Sequence, residues 1–333
     1  MKYTLLIICL LVSLSCVEQP EQIEKRPMIS PAHFDDNAFA INSDYKKGDV
    51  RRYGIMPDAP IDQIKLKRVI ALAQKGVPIR FPKGYYETNL ILNKVLNATF
   101  VFRDAIVTGA VNIIDGSDNI VFEGQLTVLD KVFVRKSQNI VIENLSIQSD
   151  TLKSYHHKFN RGLSIYAGTR NISFKKLSIL NTGGLNDQFY TYTAAALQVH
   201  GWNNNPQNLK ISNLYIENAQ RTAVYLTGSG HYIRKAIIKN FGQGGSSQTM
   251  FGLEDAKPGS EREFAGFWIN KCNDCIIDSL EINNYSKNTY SLKFGIGTYS
   301  KPTFINNLRL IDKAKYAPVE DDLLTNILVK SEY

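Results

Sequence analysis

The chain has 333 residues, a formal net charge of +8 and four cysteines. This length is enough for two ordinary domains or for one long repetitive domain. The positive residues are scattered, with no dense Lys/Arg run. This argues against a nucleic-acid partner and favours individually placed contacts with the carboxylate or sulfate groups of an acidic oligosaccharide or polysaccharide.

The first residues have the pattern of a bacterial lipoprotein signal. Lys2 supplies a positive charge, residues 5–14 are apolar, and residues 13–16 (Ser-Leu-Ser-Cys) resemble a lipobox. The apolar run is too short to span a bilayer, so we expect removal of residues 1–15 and acylation of Cys16. Residues 16–45 are then a polar tether. The sequence thus predicts a cell-envelope lipoprotein, at the outer membrane or facing the periplasm, that meets the membrane only through its lipid.

A helix is predicted at residues 62–74, where Val69, Ile70, Leu72 and Ala73 recur with helical spacing. It precedes an apolar run that starts at Val77. Because the open end of a stacked fold must be covered, we expect this helix to close the N-terminal end of the folded domain.

From residue 119 onward the chain repeats one unit, in which two short alternating runs are separated by a polar bend. Units begin at Asn119, Asn139, Asn171, Asn208, His231, Cys275 and Phe304. A further short strand precedes each unit, at residues 132–134, 163–165, 197–199, 224–226, 267–269 and 292–294. Three short strands per repeat predict a coil with three parallel sheets and one continuous core. We therefore expect an all-β fold, a right-handed parallel β-helix, over residues 46–333.

Two kinds of residue in the repeat have structural interpretations. The asparagine that opens a unit suits a left-handed bend and, stacked in register, hydrogen bonds between coils. Cys272 and Cys275 form a lone C-x-x-C motif, with no second pair for zinc and no βαβ pattern for thioredoxin-like chemistry. We interpret these two cysteines as core and turn residues of a coil.

The N-terminal region carries a family resemblance. Tyr53-Gly54, the predicted helix and residues 79–85 (Ile-Arg-Phe-Pro-Lys-Gly-Tyr) resemble the cap and first coil of pectate-lyase-like proteins. The resemblance implies a β-helix over nearly the whole mature chain, with a substrate cleft along the outer face of one sheet. In size and plan the chain is also similar to dehydratase-type β-helix proteins associated with ulvan breakdown in marine flavobacteria. A fold alone does not assign an activity, so the outward-facing residues must be considered separately.

Strand alternation predicts which side chains lie on that outer face. If Leu197 and Val199 face inward, Gln198 and His200 face outward, and the same parity holds for the other short strands. Neighbouring strands lie about 4.8 Å apart, so the outward residues form columns. One column holds Ser164, Gln198, Tyr225, Trp268 and Lys293, and the column beside it holds Tyr166, His200, Thr227 and Asn270.

Cations and long insertions are expected on the same side. Arg161, Arg221 and Arg262 lead into these strands, and the longest insertions are residues 150–160, 185–193 and 242–263. Arginine binds carboxylate or sulfate through a bidentate fork, so such a surface suits an anionic sugar. The residues expected to bind substrate are Arg161, Tyr166, Gln198, Arg262, Trp268 and Lys293.

The residue types favour β-elimination at a uronic acid. A glycosidase needs two carboxylates, and the predicted outward positions carry none. In β-elimination a cation neutralises the sugar carboxylate, one group removes the C5 proton and another protonates the leaving O4. We expect catalytic roles for Arg221, His200 and Tyr225, with His200 and Tyr225 as the acid and the base in either order, and we expect no metal and no cofactor. The reaction is chain cleavage if O4 carries a sugar and dehydration if it is a free hydroxyl.

Two other functions remain open from the sequence. A hydrolase of the polygalacturonase type would depend on the loop carboxylates Glu254, Asp255 or Glu263. A non-catalytic surface β-helix would bind glycans without turnover. The sequence also leaves open whether the chain forms a homo-oligomer.

Overall fold

The computed structural model describes residues 35–148, 162–182, 195–219, 221–242, 264–285, 289–295, 300–312 and 327–329. Among these residues 64% lie in strands and 9% in helices, so the fold is all-β as predicted. The strands pair in parallel, which agrees with a parallel β-helix. In this described part of the chain, no helix combines the length and the apolar character that crossing a bilayer requires.

The N-terminal region contains the described helices. Two short 3-10 helices cover Asn37–Phe39 and Val50–Tyr53, and α1 covers Gln63–Gln74. The predicted helix is thus present, with Asp62 accepting a hydrogen bond from the Ile64 amide as the N-cap. Its apolar face packs against two of the strands defined below, β2 and β5. That face consists of Leu66, Val69, Ile70, Leu72 and Ala73.

The strands that follow form two series, numbered together in chain order. The first strands are β1 (Ala59–Pro60), β2 (Ile79–Phe81) and β3 (Gly84–Glu87). The short series is β4 (Leu90–Asn93), β6 (Val111–Ile114), β8 (Lys131–Arg135), β10 (Gly162–Ile165), β12 (Ala195–Val199), β14 (Thr222–Ser229), β16 (Ala265–Asn273) and β18 (Tyr290–Phe294). The long series is β5 (Leu96–Val107), β7 (Asp118–Val128), β9 (Gln138–Gln148), β11 (Arg170–Thr182), β13 (Gln207–Ala219), β15 (Tyr232–Phe241), β17 (Ile276–Asn284), β19 (Thr303–Asp312) and β20 (Ile327–Val329). Each strand pairs with the next member of its own series, so one coil lies directly above another.

The core lies between the two series and is continuous along the stack. Inward residues such as Leu197 and Val199 have no exposed surface. Phenylalanines of successive coils contact one another, with 5.1 Å between the ring centroids of Phe81 and Phe102 and 5.1 Å between those of Phe102 and Phe122. Each coil therefore buries its apolar residues on those of its neighbours, as the repeat predicted.

Asparagines at the bends hold the coils in register. Asn119, Asn139, Asn171 and Asn208 have φ values of 56°, 54°, 57° and 55°, the left-handed conformation expected at these positions. The side chain of Asn171 donates to Asn139, and that of Asn208 donates to Asn171. Asn139 donates instead to Asp118, which interrupts the ladder at one coil.

A buried ion pair joins residue 36, near the start of the described chain, to the 3-10 helix at Val50–Tyr53. Asp36 accepts hydrogen bonds from Arg52 Nε at 2.9 Å and from the Tyr53 hydroxyl at 2.5 Å, and all three residues are buried. Residues 36–45 were assigned to the tether from their composition. The structure instead fixes Asp36, near the start of this range, to the folded domain, while residues 1–34 lie outside the described part of the chain.

Cys272 and Cys275 form a disulfide bond between β16 and β17. Both residues are fully buried, which agrees with their interpretation as core and turn residues. The bond itself was not predicted, because the C-x-x-C spacing alone does not distinguish paired from reduced thiols.

Candidate functional site

One outer column runs across the short series in the predicted order. Ser164 pairs with Gln198, Gln198 with Tyr225, Tyr225 with Trp268, and Trp268 with Lys293. Strand alternation places these side chains on the side opposite the core residues. The column was therefore correctly predicted from parity and spacing alone.

Aromatic rings form a continuous row that runs through this column and the column beside it. The row runs Phe133, Tyr166, His200, Tyr225 and Trp268, with successive ring centroids 6.0, 5.8, 5.5 and 4.9 Å apart. The last three contacts are edge-to-face, the geometry that ring quadrupoles favour. His200 follows the last residue of β12 and contacts Tyr225 of β14, so the structure brings together the two residues predicted to move protons.

His200 has an unusual environment for a titratable side chain. It is buried, and within the described residues neither of its ring nitrogens has a hydrogen-bond partner. Leaving a buried polar group unpaired costs about 1–3 kcal/mol, so such a group in a native structure requires an explanation. Burial lowers the pKa of His200, because desolvation disfavours the imidazolium form. At neutral pH the ring is therefore uncharged and able to accept a proton.

Tyr225 and Trp268 form a buried cluster next to His200. The Tyr225 hydroxyl accepts a hydrogen bond of 2.5 Å from the Asn270 side chain, which fixes the phenol ring from the second predicted column. The Lys293 ammonium lies 4.5 Å from the centre of the Trp268 ring, a cation–π contact. Lys293 is partly exposed, so the cationic end of the row remains accessible.

Arg221 does not lie beside the pair formed by His200 and Tyr225. It lies in the bend just before β14, four residues before Tyr225, so a fully extended chain would separate their Cα atoms by at most about 13 Å. Its guanidinium carbon lies 5.2 Å from the centre of the Phe264 ring, and the side chain is buried. Arg221 thus lies at the entrance of β14 rather than at the position of Tyr225.

The other predicted residues are distributed as follows. Gln198 accepts a 3.5 Å hydrogen bond from Ser164, and Thr227 donates to the Val199 carbonyl at 3.0 Å, so Thr227 stabilises the strand end. Tyr166 is partly exposed within the row. The predictions for Cys16, Arg161, Arg262, Glu254, Asp255, Glu263 and the insertions 150–160 and 185–193 lie outside the described residues.

Sequence reasoning missed two aromatic members of the site. Phe133 occupies the column position next to Ser164, and Trp202 lies beside His200 with 5.0 Å between ring centroids. Phe133 could have been found from the same parity argument, since it is the middle residue of a predicted short strand. Trp202 lies in a turn after β12, where strand parity gives no information.

The described part of the chain contains no group of three or more His, Cys, Asp or Glu side chains arranged to hold a metal ion. Comparison with protein-family models, curated proteins and solved structures gives no match.

Proposed function

We propose that this protein is a carbon–oxygen lyase that acts by β-elimination on a uronate-containing oligosaccharide or polysaccharide. The observation that supports this most directly is the contact between Tyr225 and His200, a buried ring whose two nitrogens have no hydrogen-bond partner among the described residues, in the middle of the outer aromatic row. A neutral imidazole and a phenol at one point supply the base and the acid that an elimination needs.

The proposed step uses His200 as the base and Tyr225 as the acid. His200 removes the proton from C5, and the electron pair of that bond forms the C4–C5 double bond. The C4–O4 bond breaks, and Tyr225 donates its proton to O4. His200 is assigned as the base because its lowered pKa keeps it unprotonated at neutral pH. The leaving group is a sugar in chain cleavage and water in terminal dehydration.

Substrate binding is assigned to the rest of the row. Trp268 is buried and packs beneath the Lys293 ammonium, which lies two strands from Tyr225, or about 10 Å between Cα atoms. Lys293 is therefore nearer to the reacting pair than Arg221, and we assign it the carboxylate of the reacting or adjacent sugar. Arg221, in the bend before β14, is assigned to an anionic group on a more distant sugar.

The test is an elimination assay with uronate oligosaccharides from ulvan, alginate and pectin. A conjugated uronate product absorbs in the ultraviolet, and mass spectrometry separates cleavage (shorter products) from dehydration (loss of one water). We expect Tyr225→Phe, which keeps the ring contacts and removes the hydroxyl, to lower kcat by about 10²–10⁴-fold. His200→Asn should have an effect of the same size.

Tyr215→Phe is the matched control. Tyr215 lies in the long series and donates to Glu217, so removal of its hydroxyl should leave turnover unchanged. New reducing ends without a chromophore would refute elimination and favour the hydrolase. Binding without any product from the full panel would favour a non-catalytic glycan-binding protein.

The proposal has a structural and a cellular part as well. We propose that the coil is right-handed and has three parallel sheets, each long strand contributing to two of them, and that α1 covers its N-terminal end. We further propose that the protein is an exported lipoprotein acylated at Cys16. The disulfide between Cys272 and Cys275 supports export, because such bonds persist mainly in oxidising compartments.

A further inference from the structure

Trp202 has a combination of features that the fold does not require. Its side chain is 66% exposed, although its ring centroid lies only 5.0 Å from that of buried His200. Its φ is 56°, in the left-handed region. Among the described residues, no other aromatic residue has a positive φ. A bulky side chain in this conformation is strained, and strain of this kind is concentrated at functional sites.

The turn around Trp202 is fixed by its neighbours. The Asn204 amide donates to the Gly201 carbonyl at 3.0 Å, and the Gly201 amide donates to the Asn205 side chain at 2.9 Å. Thr227 of the next coil also donates to that side chain, at 2.9 Å. A Cβ at Gly201 would lie 2.3 Å from the Asn204 oxygen, so the turn requires glycine there. None of these contacts involves the indole ring, so the conformation of the turn does not depend on it.

We propose that Trp202 is a sugar-binding platform that stacks on the apolar face of a pyranose at the edge of the site formed by His200 and Tyr225. This inference rests on the proposed function for the identity of the ligand, an acidic oligosaccharide. The nitrogens of His200, which have no hydrogen-bond partner in the described part of the chain, mark where the reacting atoms lie, and the indole packs against the same imidazole ring. An exposed ring carried by a fixed turn at that position binds the adjacent sugar and orients it toward the imidazole.

Covering roughly 60 Å² of the indole at about 25 cal/mol/Å² corresponds to about a tenfold gain in affinity. The variant that isolates this contribution is Trp202→Asn, because asparagine adopts a left-handed backbone readily and three asparagines already follow in the turn. We expect Trp202→Asn to keep or raise Tm and to weaken oligosaccharide binding by about tenfold.

Intrinsic fluorescence gives a direct readout, because the chain has two tryptophans and Trp268 is buried. Titration of the full chain with ulvan, alginate and pectin oligosaccharides should shift the wild-type emission to shorter wavelength. The shift should be lost in Trp202→Asn and kept in Tyr85→Ala, which removes another exposed aromatic ring, from β3. Calorimetry on the same samples measures affinity independently of turnover.

The outcomes separate this inference from the proposed function. Equal affinity of wild type and Trp202→Asn, with elimination intact, would overturn the platform and leave the lyase proposal in place. Tryptophan-dependent binding without product would support the platform and refute the lyase. A lower Tm in Trp202→Asn would show a structural role and overturn the platform, and the absence of binding to every oligosaccharide would overturn both.

Discussion

His231 should make the fold sensitive to acid. The side chain is buried in the bend before β15, where Nδ1 accepts a hydrogen bond from the Leu209 amide at 3.0 Å and Nε2 lies 2.9 Å from the Thr227 carbonyl. This pair of contacts suits the neutral ring with its proton on Nε2, because a proton on Nδ1 would face the Leu209 amide. Burial lowers the pKa of His231 to about 4 and outweighs the opposing effect of the Thr227 hydrogen bond.

The size of the effect follows from the difference between the folded and unfolded pKa values. The unfolded pKa is about 6.5, so the unfolded chain binds the proton first as the pH falls. A lowered folded pKa therefore leaves stability intact above pH 6.5 and removes it between pH 6.5 and 4. Between about pH 7 and pH 4.5 the loss is about 2 kcal/mol, a large share of a typical stability of about 5–15 kcal/mol.

The assay is urea unfolding of wild type and His231→Asn at several pH values. Asparagine can keep the hydrogen bond from Leu209 but loses the one to Thr227, so the variant should be less stable at neutral pH. On acidification to about pH 4.5 the difference in unfolding free energy between wild type and His231→Asn should narrow by about 2 kcal/mol. Tyr215→Phe is the control, because the pKa of Tyr215 is raised to about 12 by burial and its Glu217 hydrogen bond and is irrelevant in this range. Parallel pH profiles for wild type and His231→Asn would refute the reasoning.

Three further outcomes are expected. Asp36→Asn should leave the Arg52 charge buried without its partner and lower the free energy of unfolding in urea by about 3 kcal/mol. An unchanged unfolding midpoint would show that this ion pair does not stabilise the protein. Asn171→Ala should lower the free energy of unfolding by about 2 kcal/mol and Asn171→Gly by about half of that. Both variants lose the side-chain hydrogen bonds, but only alanine is also strained in the left-handed conformation. Equal losses of stability in the two variants would contradict the role of φ. The acidic limb of the pH–rate profile should have its midpoint below 6.5, because burial lowers the pKa of His200, and a midpoint above 6.5 would exclude neutral His200 as the base.

Strand parity predicted much of the site, and its failures have a common cause. Alternation placed Gln198, Tyr225 and Trp268 on one face, and the inter-strand spacing put them in one column. Arg221 was grouped with Tyr225 because it leads into β14, but it lies in the bend four residues before Tyr225 and its guanidinium packs on Phe264. The sequence pattern therefore identified the face of the sheet more reliably than the distances on it.

The remaining differences involve residues outside regular strands. Trp202 was missed because the conformation of a turn depends on contacts such as that between Gly201 and Asn205, which no periodic pattern reveals. Asp36 was assigned to a tether because its local composition is polar, while the partner that buries it lies 16 positions later at Arg52. Pairing at such separations comes from tertiary packing and has no local signature.

The asparagine ladder has a consequence for how this fold can change during evolution. The side-chain hydrogen bonds between successive bends span 22, 32 and 37 positions of sequence, yet their lengths are 2.8, 3.0 and 3.1 Å. Coils of different length thus meet at the same corner with the same geometry, and additional residues are accommodated elsewhere in the coil. An insertion outside the bend leaves the register of the neighbouring coils unchanged, so new surface can be added to one coil without redesign of the next.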